Sequence, residues 1–289
     1  MAIRLNAACD VESGSDCRSH RHWPVRLSAL VWVFSLVSFS SLAAAEDAVM
    51  AEVFARHGVD GTMVLAALNG GEIVFHNDQR ASQRMSPAST FKILNTLIAL
   101  DAKAVAGADD VLKWDGWHYD IPAWNQDQTL ESAFKVSCVW CYQQLATRVG
   151  AGPYRQYLRA ANYGELTEPF ELTTFWLDGG LKISAREQVD FLGRLYRRSL
   201  PFNDMSYQAL RRMMLVEATP EFSLFAKTGW AARLAPQIGW YVGYVETKRD
   251  VWLFAANIDL RGEADLPLRQ RIVREILRAK AVIDCDRCE

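Results

Sequence analysis

The sequence predicts an α+β protein: an antiparallel sheet flanked by helices, with an all-helical lobe inserted in the chain. Three observations predict it. Strand-like stretches lie near both ends, within 61–76 and 223–258. Helical periodicity dominates the stretch between them, from about 128 to 216. The chain has 289 residues, 50% of them hydrophobic and 23% charged, which is enough apolar side chain for a large core. Strands that come from distant parts of one chain, with helices between, pair most simply as one sheet with helices on its faces.

The elements follow in order. Residues 47–57 read as a short amphipathic helix. Gly61–Leu68 is strand-like, Asn69-Gly70-Gly71 signals a turn, and Glu72–His76 returns as a second strand. An apolar helix carries Ser89 and runs to about Lys103. Residues 104–127 form a loop rich in aromatics, with Trp114, Trp117, Tyr119 and Trp124. Helical patterns then cover Leu130–Val136, Cys138–Val149, Pro153–Ala161, Ala185–Arg198 and Ser206–Leu215. Ser223–Thr228, Gly239–Glu246 and Val251–Ile258 read as strands, and Leu266–Ala281 as a closing helix. The sheet-bearing part is expected at about 46–85 and 217–281, and the helical lobe at about 86–216. No internal repeat or low-complexity segment is visible.

The first 45 residues read as a signal peptide. Arg18, Arg21 and Arg26 precede an apolar run over 27–45 that ends in small side chains. Ala43 and Ala45 fit the cleavage pattern, which makes Glu46 the first residue of a mature domain over 46–289. A membrane anchor is the competing reading, but the run is interrupted by serines and barely long enough to span. The expected location is the periplasm, with no stable membrane anchor after cleavage. The stretch before Arg18 is long for a signal, and a start codon assigned too far upstream would account for it.

The net charge of −2 and the lack of basic runs argue against nucleic acid as a partner. Beyond the leader, the cysteines fall into two C-x-x-C pairs, Cys138/Cys141 and Cys285/Cys288. A joint zinc site would need pairs far apart in the chain, and no metal is expected. A local Cys138–Cys141 disulfide is compatible with export, and free thiols are the alternative.

Three motifs carry the chemistry. In Ser86-Pro87-Ala88-Ser89-Thr90-Phe91-Lys92 a loop rises into an apolar helix. Residues three apart share a helix face, so Ser89 and Lys92 sit side by side at its start. A serine hydroxyl is a weak nucleophile until a neighbour takes its proton, and Lys92 is that neighbour. Ser137-Cys138-Val139 opens a helix and offers a second hydroxyl that can pass a proton to a leaving group. Lys227-Thr228-Gly229 ends a strand with a point charge, a hydroxyl and a residue that lets a ligand approach the backbone. A second Ser-x-x-Lys, Ser132/Lys135, reads as helix capping and a solvated charge. The histidines His57, His76 and His118 have no acidic or cysteine partner at catalytic spacing, and Gly-x-Ser-x-Gly is absent.

Taken in this order the motifs are those of penicillin-interacting serine enzymes, and the chain resembles a class D, oxacillinase-type serine β-lactamase. The resemblance runs from about 55 to 280. It also includes Tyr163-Gly164, Phe175-Trp176-Leu177, Leu181-Lys182-Ile183-Ser184, Gly239-Trp240-Tyr241-Val242-Gly243-Tyr244-Val245 and Leu268-Arg269-Gln270. One departure is Glu165, where the family usually has asparagine after Tyr-Gly.

The resemblance implies a serine β-lactamase/penicillin-binding-like fold and hydrolysis of β-lactam antibiotics through a serine acyl-enzyme. In it Ser89 is the nucleophile. Lys92 takes up carbon dioxide to become N6-carboxylysine, the general base for acylation and deacylation, so carbon dioxide or bicarbonate is the one co-reactant. Trp176 holds the carbamate. Ser137 and Lys227 move protons and organise the site. Thr228 and Arg269 bind the substrate carboxylate, and the Gly229 strand end carries the amide of Trp230. That amide and the amide of Ser89 form the oxyanion hole. Val139 and Leu177 wall the carbamate. The partner is a small β-lactam, and the state monomer or homodimer.

The chemistry makes independent sense of these residues. An exposed lysine amine is protonated at neutral pH, so it neither accepts a proton nor reacts with carbon dioxide. Burial among Phe91, Val139, Trp176 and Leu177 disfavours the ammonium and frees the lone pair. The anionic adduct then needs a donor, and Trp176 carries one.

Glu168-Pro169 faintly resembles the glutamate loop of class A β-lactamases. The asparagine expected after it and the Ser-Asp-Asn motif are both missing, so Glu168 reads as a surface loop residue. Two other functions compete with hydrolysis. A sensor of the same fold is acylated and stays so, but such sensors hang from several membrane segments. A cell-wall transpeptidase or carboxypeptidase shares the three motifs but not the Phe175-Trp176-Leu177 pocket.

Overall fold

A computed structural model describes residues 46–70 and 73–283 of the chain. The leader and the Cys285/Cys288 pair lie outside the described residues. Helix α1 (Ala48–His57) is capped by Asp47, whose carboxylate accepts the Met50 amide at 3.0 Å, and it stops at Gly58 in the left-handed conformation. Strands β1 (Gly61–Ala67) and β2 (Ile73–His76) form the first hairpin, followed by the short helix α2 (Asp78–Ser82). A 3₁₀ turn (Ala88–Phe91) leads into α3 (Lys92–Asp101).

The middle of the chain is helical. It holds α4 (Leu130–Lys135), α5 (Val139–Val149), α6 (Ala151–Ala160), α7 (Ala185–Tyr196) and α8 (Asp204–Met214). The last part returns to the sheet with Leu215–Ala218, Phe222–Ala231, Gln237–Thr247 and Val251–Leu260, and closes with α9 (Leu268–Ala279). We number those four strands β3 to β6. Two further two-stranded ribbons pair Val111–Leu112 with Gln128–Thr129 and Glu165–Leu166 with Leu181–Lys182.

The sheet has six strands in the order β2-β1-β6-β5-β4-β3, each pair antiparallel. It therefore joins the two ends of the chain, as the α+β reading expects. Buried residues run almost without interruption along β4, β5 and β6, because helices cover both faces. On one face α1 and α9 bury Met50, Phe54, Ile272 and Ile276 against Met63, Leu65 and Phe254. On the other, α7 packs on β1 and β6, so this helix from the 86–216 stretch lies on the sheet.

Two elements differ from the sequence reading. The helical pattern over Ser206–Leu215 starts two residues earlier and gives way to an edge strand, β3, which the periodicity concealed because Leu215 and Val216 are exposed. In the second Ser-x-x-Lys, Thr129 rather than Ser132 caps the helix, accepting the Ser132 amide at 3.0 Å. Lys135 pairs with Glu131 on the surface, as a solvated charge should.

Candidate active site

The turn that carries Ser89 is held from several sides. Ala88 has φ 48, a conformation an L residue resists, so its surroundings must hold it. The Ala88 amide donates to the Trp176 carbonyl at 2.9 Å, and the Ser86 hydroxyl donates to the same carbonyl at 2.8 Å. The Trp240 indole donates to the Ser86 carbonyl at 2.9 Å. The Thr90 hydroxyl donates to Pro87 at 2.7 Å and accepts from Gln188 at 2.9 Å.

Ser89 lies in the 3₁₀ turn rather than on the α-helix, and Lys92 is the first residue of α3. In a 3₁₀ turn side chains three apart eclipse one another. The Lys92 amine accordingly donates to the Ser89 hydroxyl at 3.1 Å. The first hydrogen bond of the turn comes from the Thr90 amide, so the turn leaves the Ser89 amide unspent.

Lys92 is fully buried. Burial, and after it the positive charge of Lys227, holds its amine well below the ordinary lysine range. Phe91, Phe175 and Trp176 are also fully buried, with the Phe91 ring 5.3 Å from Phe175 and 5.9 Å from Trp176. The Tyr142 ring lies 4.7 Å from the amine. Leu177 is buried, and Val139, the first residue of α5, is half-buried. The Trp176 indole N–H is buried and meets no acceptor among the described residues. A buried donor without an acceptor is costly, so it marks a place where an acceptor belongs.

Lys227 approaches from β4. It is buried, and its amine donates to the Ser137 hydroxyl and, at 3.1 Å, to the Thr228 carbonyl. Burial, followed by the charge of Arg269, brings its pKa down to about 7. Ser137 sits between α4 and α5 at φ 55, a second strained residue at the site.

Gly229 is required by close approach. A Cβ there would lie 2.9 Å from the Pro87 carbonyl oxygen and 3.0 Å from the Thr90 methyl. Its carbonyl accepts Arg269 at 2.7 Å, and burial lowers the Arg269 pKa to about 10. The Arg269 stem fits because position 239 is glycine, where a Cβ would lie 2.7 Å from its Cδ. Trp230 follows on the same strand, its indole donating to Gln237 at 2.9 Å. We expect Gly229→Ala to push β4 off the serine turn, at a cost of about 1–3 kcal/mol in stability together with lost activity. A denaturant midpoint and a turnover number equal to those of the wild type would show that the turn tolerates the methyl.

The structure thus pairs Ser89 with Lys92, joins Lys227 to Ser137 and Thr228, and sets Gly229, which accepts Arg269, against Pro87 and Thr90 of the serine turn, with buried Trp176 tied to that turn through its backbone. The carboxylates stay outside this arrangement. Glu168 is 45% exposed and paired with Arg155 at 2.6 and 3.0 Å. Glu165, where asparagine was expected, is 66% exposed and paired with Arg84 at 2.7 Å. His57 meets Glu275 at 2.7 Å and His76 meets Glu46, both partners distant in sequence. Cys138 and Cys141 form a disulfide.

Sequence reasoning missed Ser86, Thr90, Tyr142, Gln188 and Trp240, which hold the turn and line the lysine. Ser86 and Thr90 lay inside the motif, but nothing in spacing marks Gln188 or Tyr142 as its partners. Among the described residues no group of three potential ligands could hold a metal, and no helix is long and apolar enough to cross a membrane.

A buried lysine beside a serine whose turn is set by a left-handed alanine, a second serine–lysine pair and a glycine-ended strand define the active-site-serine proteins that interact with penicillin. Residues 61–278 match the penicillin-binding protein transpeptidase domain. The chain is 39% identical to β-lactamase OXA-48 of Klebsiella pneumoniae over 259 residues, covering 89% of this chain and 98% of the relative. It is 40% identical to β-lactamase OXA-20 of Pseudomonas aeruginosa over 258 residues, covering 86% and 96%. The crystal structure of FUS-1 (OXA-85), a class D β-lactamase from Fusobacterium nucleatum, superposes with a TM-score of 0.81 at 38% identity, covering 83% of this chain and 100% of that one. The chain belongs to the class D serine β-lactamases within the transpeptidase-domain family.

Proposed function

We propose that this chain is a periplasmic enzyme that hydrolyses β-lactam antibiotics through an acyl-enzyme on Ser89, and so confers resistance to them. The observation that carries the reading is the Lys92 amine, fully buried and 3.1 Å from the Ser89 hydroxyl. The Ser89 oxygen adds to the lactam carbonyl as its proton leaves toward the Lys92 position. The ring C–N bond then breaks, and its nitrogen takes a proton by way of Ser137 and Lys227. Water cleaves the ester and restores the serine. The amides of Ser89 and Trp230 face the oxygen on which charge develops, where losing one donor costs about 3 kcal/mol of barrier. Thr228 and Arg269 hold the substrate carboxylate.

A carbamate fits at Lys92, because burial disfavours the ammonium form of the amine and the Trp176 N–H meets no acceptor among the described residues. Carbon dioxide bound there supplies an anionic proton acceptor beside Ser89. Trp176 would hold it by donation, with Val139 and Leu177 excluding water.

Mixing the purified protein with a chromogenic cephalosporin tests the reading. Many turnovers per enzyme are expected. A single burst equal to the enzyme concentration would indicate a sensor or a transpeptidase instead. Glu168→Gln should retain turnover within about twofold, since Arg155 holds that carboxylate at the surface and surface changes of this kind are nearly neutral. A large loss in this variant would reinstate a carboxylate base.

A further inference from the structure

Ser137 occupies the middle of a three-residue connector between α4 and α5. Its φ of 55 is one that a residue with a side chain leaves when free to do so. On the α4 side the connector is held by three amides, Val136 donating to Ser132 at 2.9 Å, Ser137 to Phe134 at 3.3 Å and Cys138 to Ala133 at 2.9 Å, and the Trp124 indole donates to the Val136 carbonyl at 3.0 Å. From the α5 side it is held by sulfur. Cys138 is the N-cap of α5, its sulfur bonded to Cys141 across the first helical turn and 3.2 Å from the Cys141 amide. Both cysteines are fully buried. A bond that closes so short a loop restricts the unfolded chain least, so its main effect lies in the local geometry.

We propose that the Cys138–Cys141 disulfide is a positioning device that keeps the Ser137 hydroxyl on Lys227, making turnover depend on the bond. The inference rests on the role given to Ser137 above. Without the bond, Cys138 is tied to α5 by backbone alone, and the connector can relax out of its left-handed turn. The hydroxyl then drifts from the Lys227 amine. Misplacement of this kind, by about 1 Å, is enough to cost up to roughly a hundredfold in rate.

The test is the double variant Cys138→Ala/Cys141→Ala, compared with Ser137→Ala. The double variant is expected to lose about ten- to hundredfold in kcat with little change in KM. Its pH–rate limb near 7 should move to lower pH, because the Lys227 ammonium has lost an oxygen acceptor. The other groups facing that amine are Lys92 on α3, Arg269 on α9, the Thr228 carbonyl and hydroxyl and the Phe134 ring, and the variant leaves all of them in place. Wild-type kcat and limb in the double variant, beside an impaired Ser137→Ala, overturn the positioning role. A harmless Ser137→Ala instead overturns the reading of Ser137 itself. Should the double variant not fold, the wild-type chain made in a reducing cytosol, heavier by two hydrogens by mass, is compared with the oxidised chain. Equal kcat and equal pH profiles would then refute the proposal.

Discussion

Lys92→Met is expected to lower kcat by about a thousandfold, within the range of roughly 10²–10⁴ that a positioned proton acceptor contributes. Methionine keeps most of the lysine's volume at this fully buried position, so the loss measures the amine rather than a cavity. The same substitution should leave the folded protein at least as stable. The depressed pKa means that the folded chain binds fewer protons than the unfolded chain between the lowered value and about 10.4. Stability therefore rises with pH across that window, and the full cost of burying an ammonium is borne below it. An apolar replacement removes that cost. Activity of the wild type should fall as pH drops through the lowered pKa and the amine regains its proton. Added bicarbonate should recover part of it. A Lys92→Met protein that turns over at a wild-type rate would remove the lysine from the reaction altogether.

The sheet was legible because its strands are long, apolar and punctuated by turns. The three motifs were legible because each lies within four consecutive residues: Ser89 with Lys92, Ser137 with Cys138 and Val139, and Lys227 with Thr228 and Gly229. What holds them was not. Trp176 supports the serine turn through its carbonyl, which no side-chain pattern records. Gln188 meets Thr90 from α7, and Tyr142 meets Lys92 from α5, across separations at which one sequence gives no pairing. Ser89 in a 3₁₀ turn rather than an α-helix follows from the left-handed Ala88 before it, a tertiary constraint that overrides local propensity. Edge strand β3 was hidden for the opposite reason: its exposed Leu215 and Val216 continue the apolar pattern of the helix before them.

Trp176→Phe separates the two things Trp176 does. Phenylalanine retains an aromatic ring in a cluster where Trp176 meets Phe175 at 5.0 Å and Phe91 at 5.9 Å, and the backbone carbonyl that holds Ala88 is unchanged. The indole N–H is lost together with part of the ring volume, and the bicarbonate dependence tells the two losses apart. That N–H meets no acceptor among the described residues, and in the mechanism proposed above the Lys92 carbamate is its acceptor. A hydrogen bond to a charged group contributes about 1.5–3 kcal/mol, so the variant should need roughly ten- to hundredfold more bicarbonate for half-maximal activity. At saturating bicarbonate its kcat should approach that of the wild type. Labelled bicarbonate gives a readout independent of turnover: the carbamate carbon signal at Lys92 should saturate at the same shifted concentration. A simple packing defect would lower kcat at every bicarbonate concentration and leave the half-saturation point where it was. That pattern would mean that Trp176 is a core residue whose orphaned donor has no part in the chemistry.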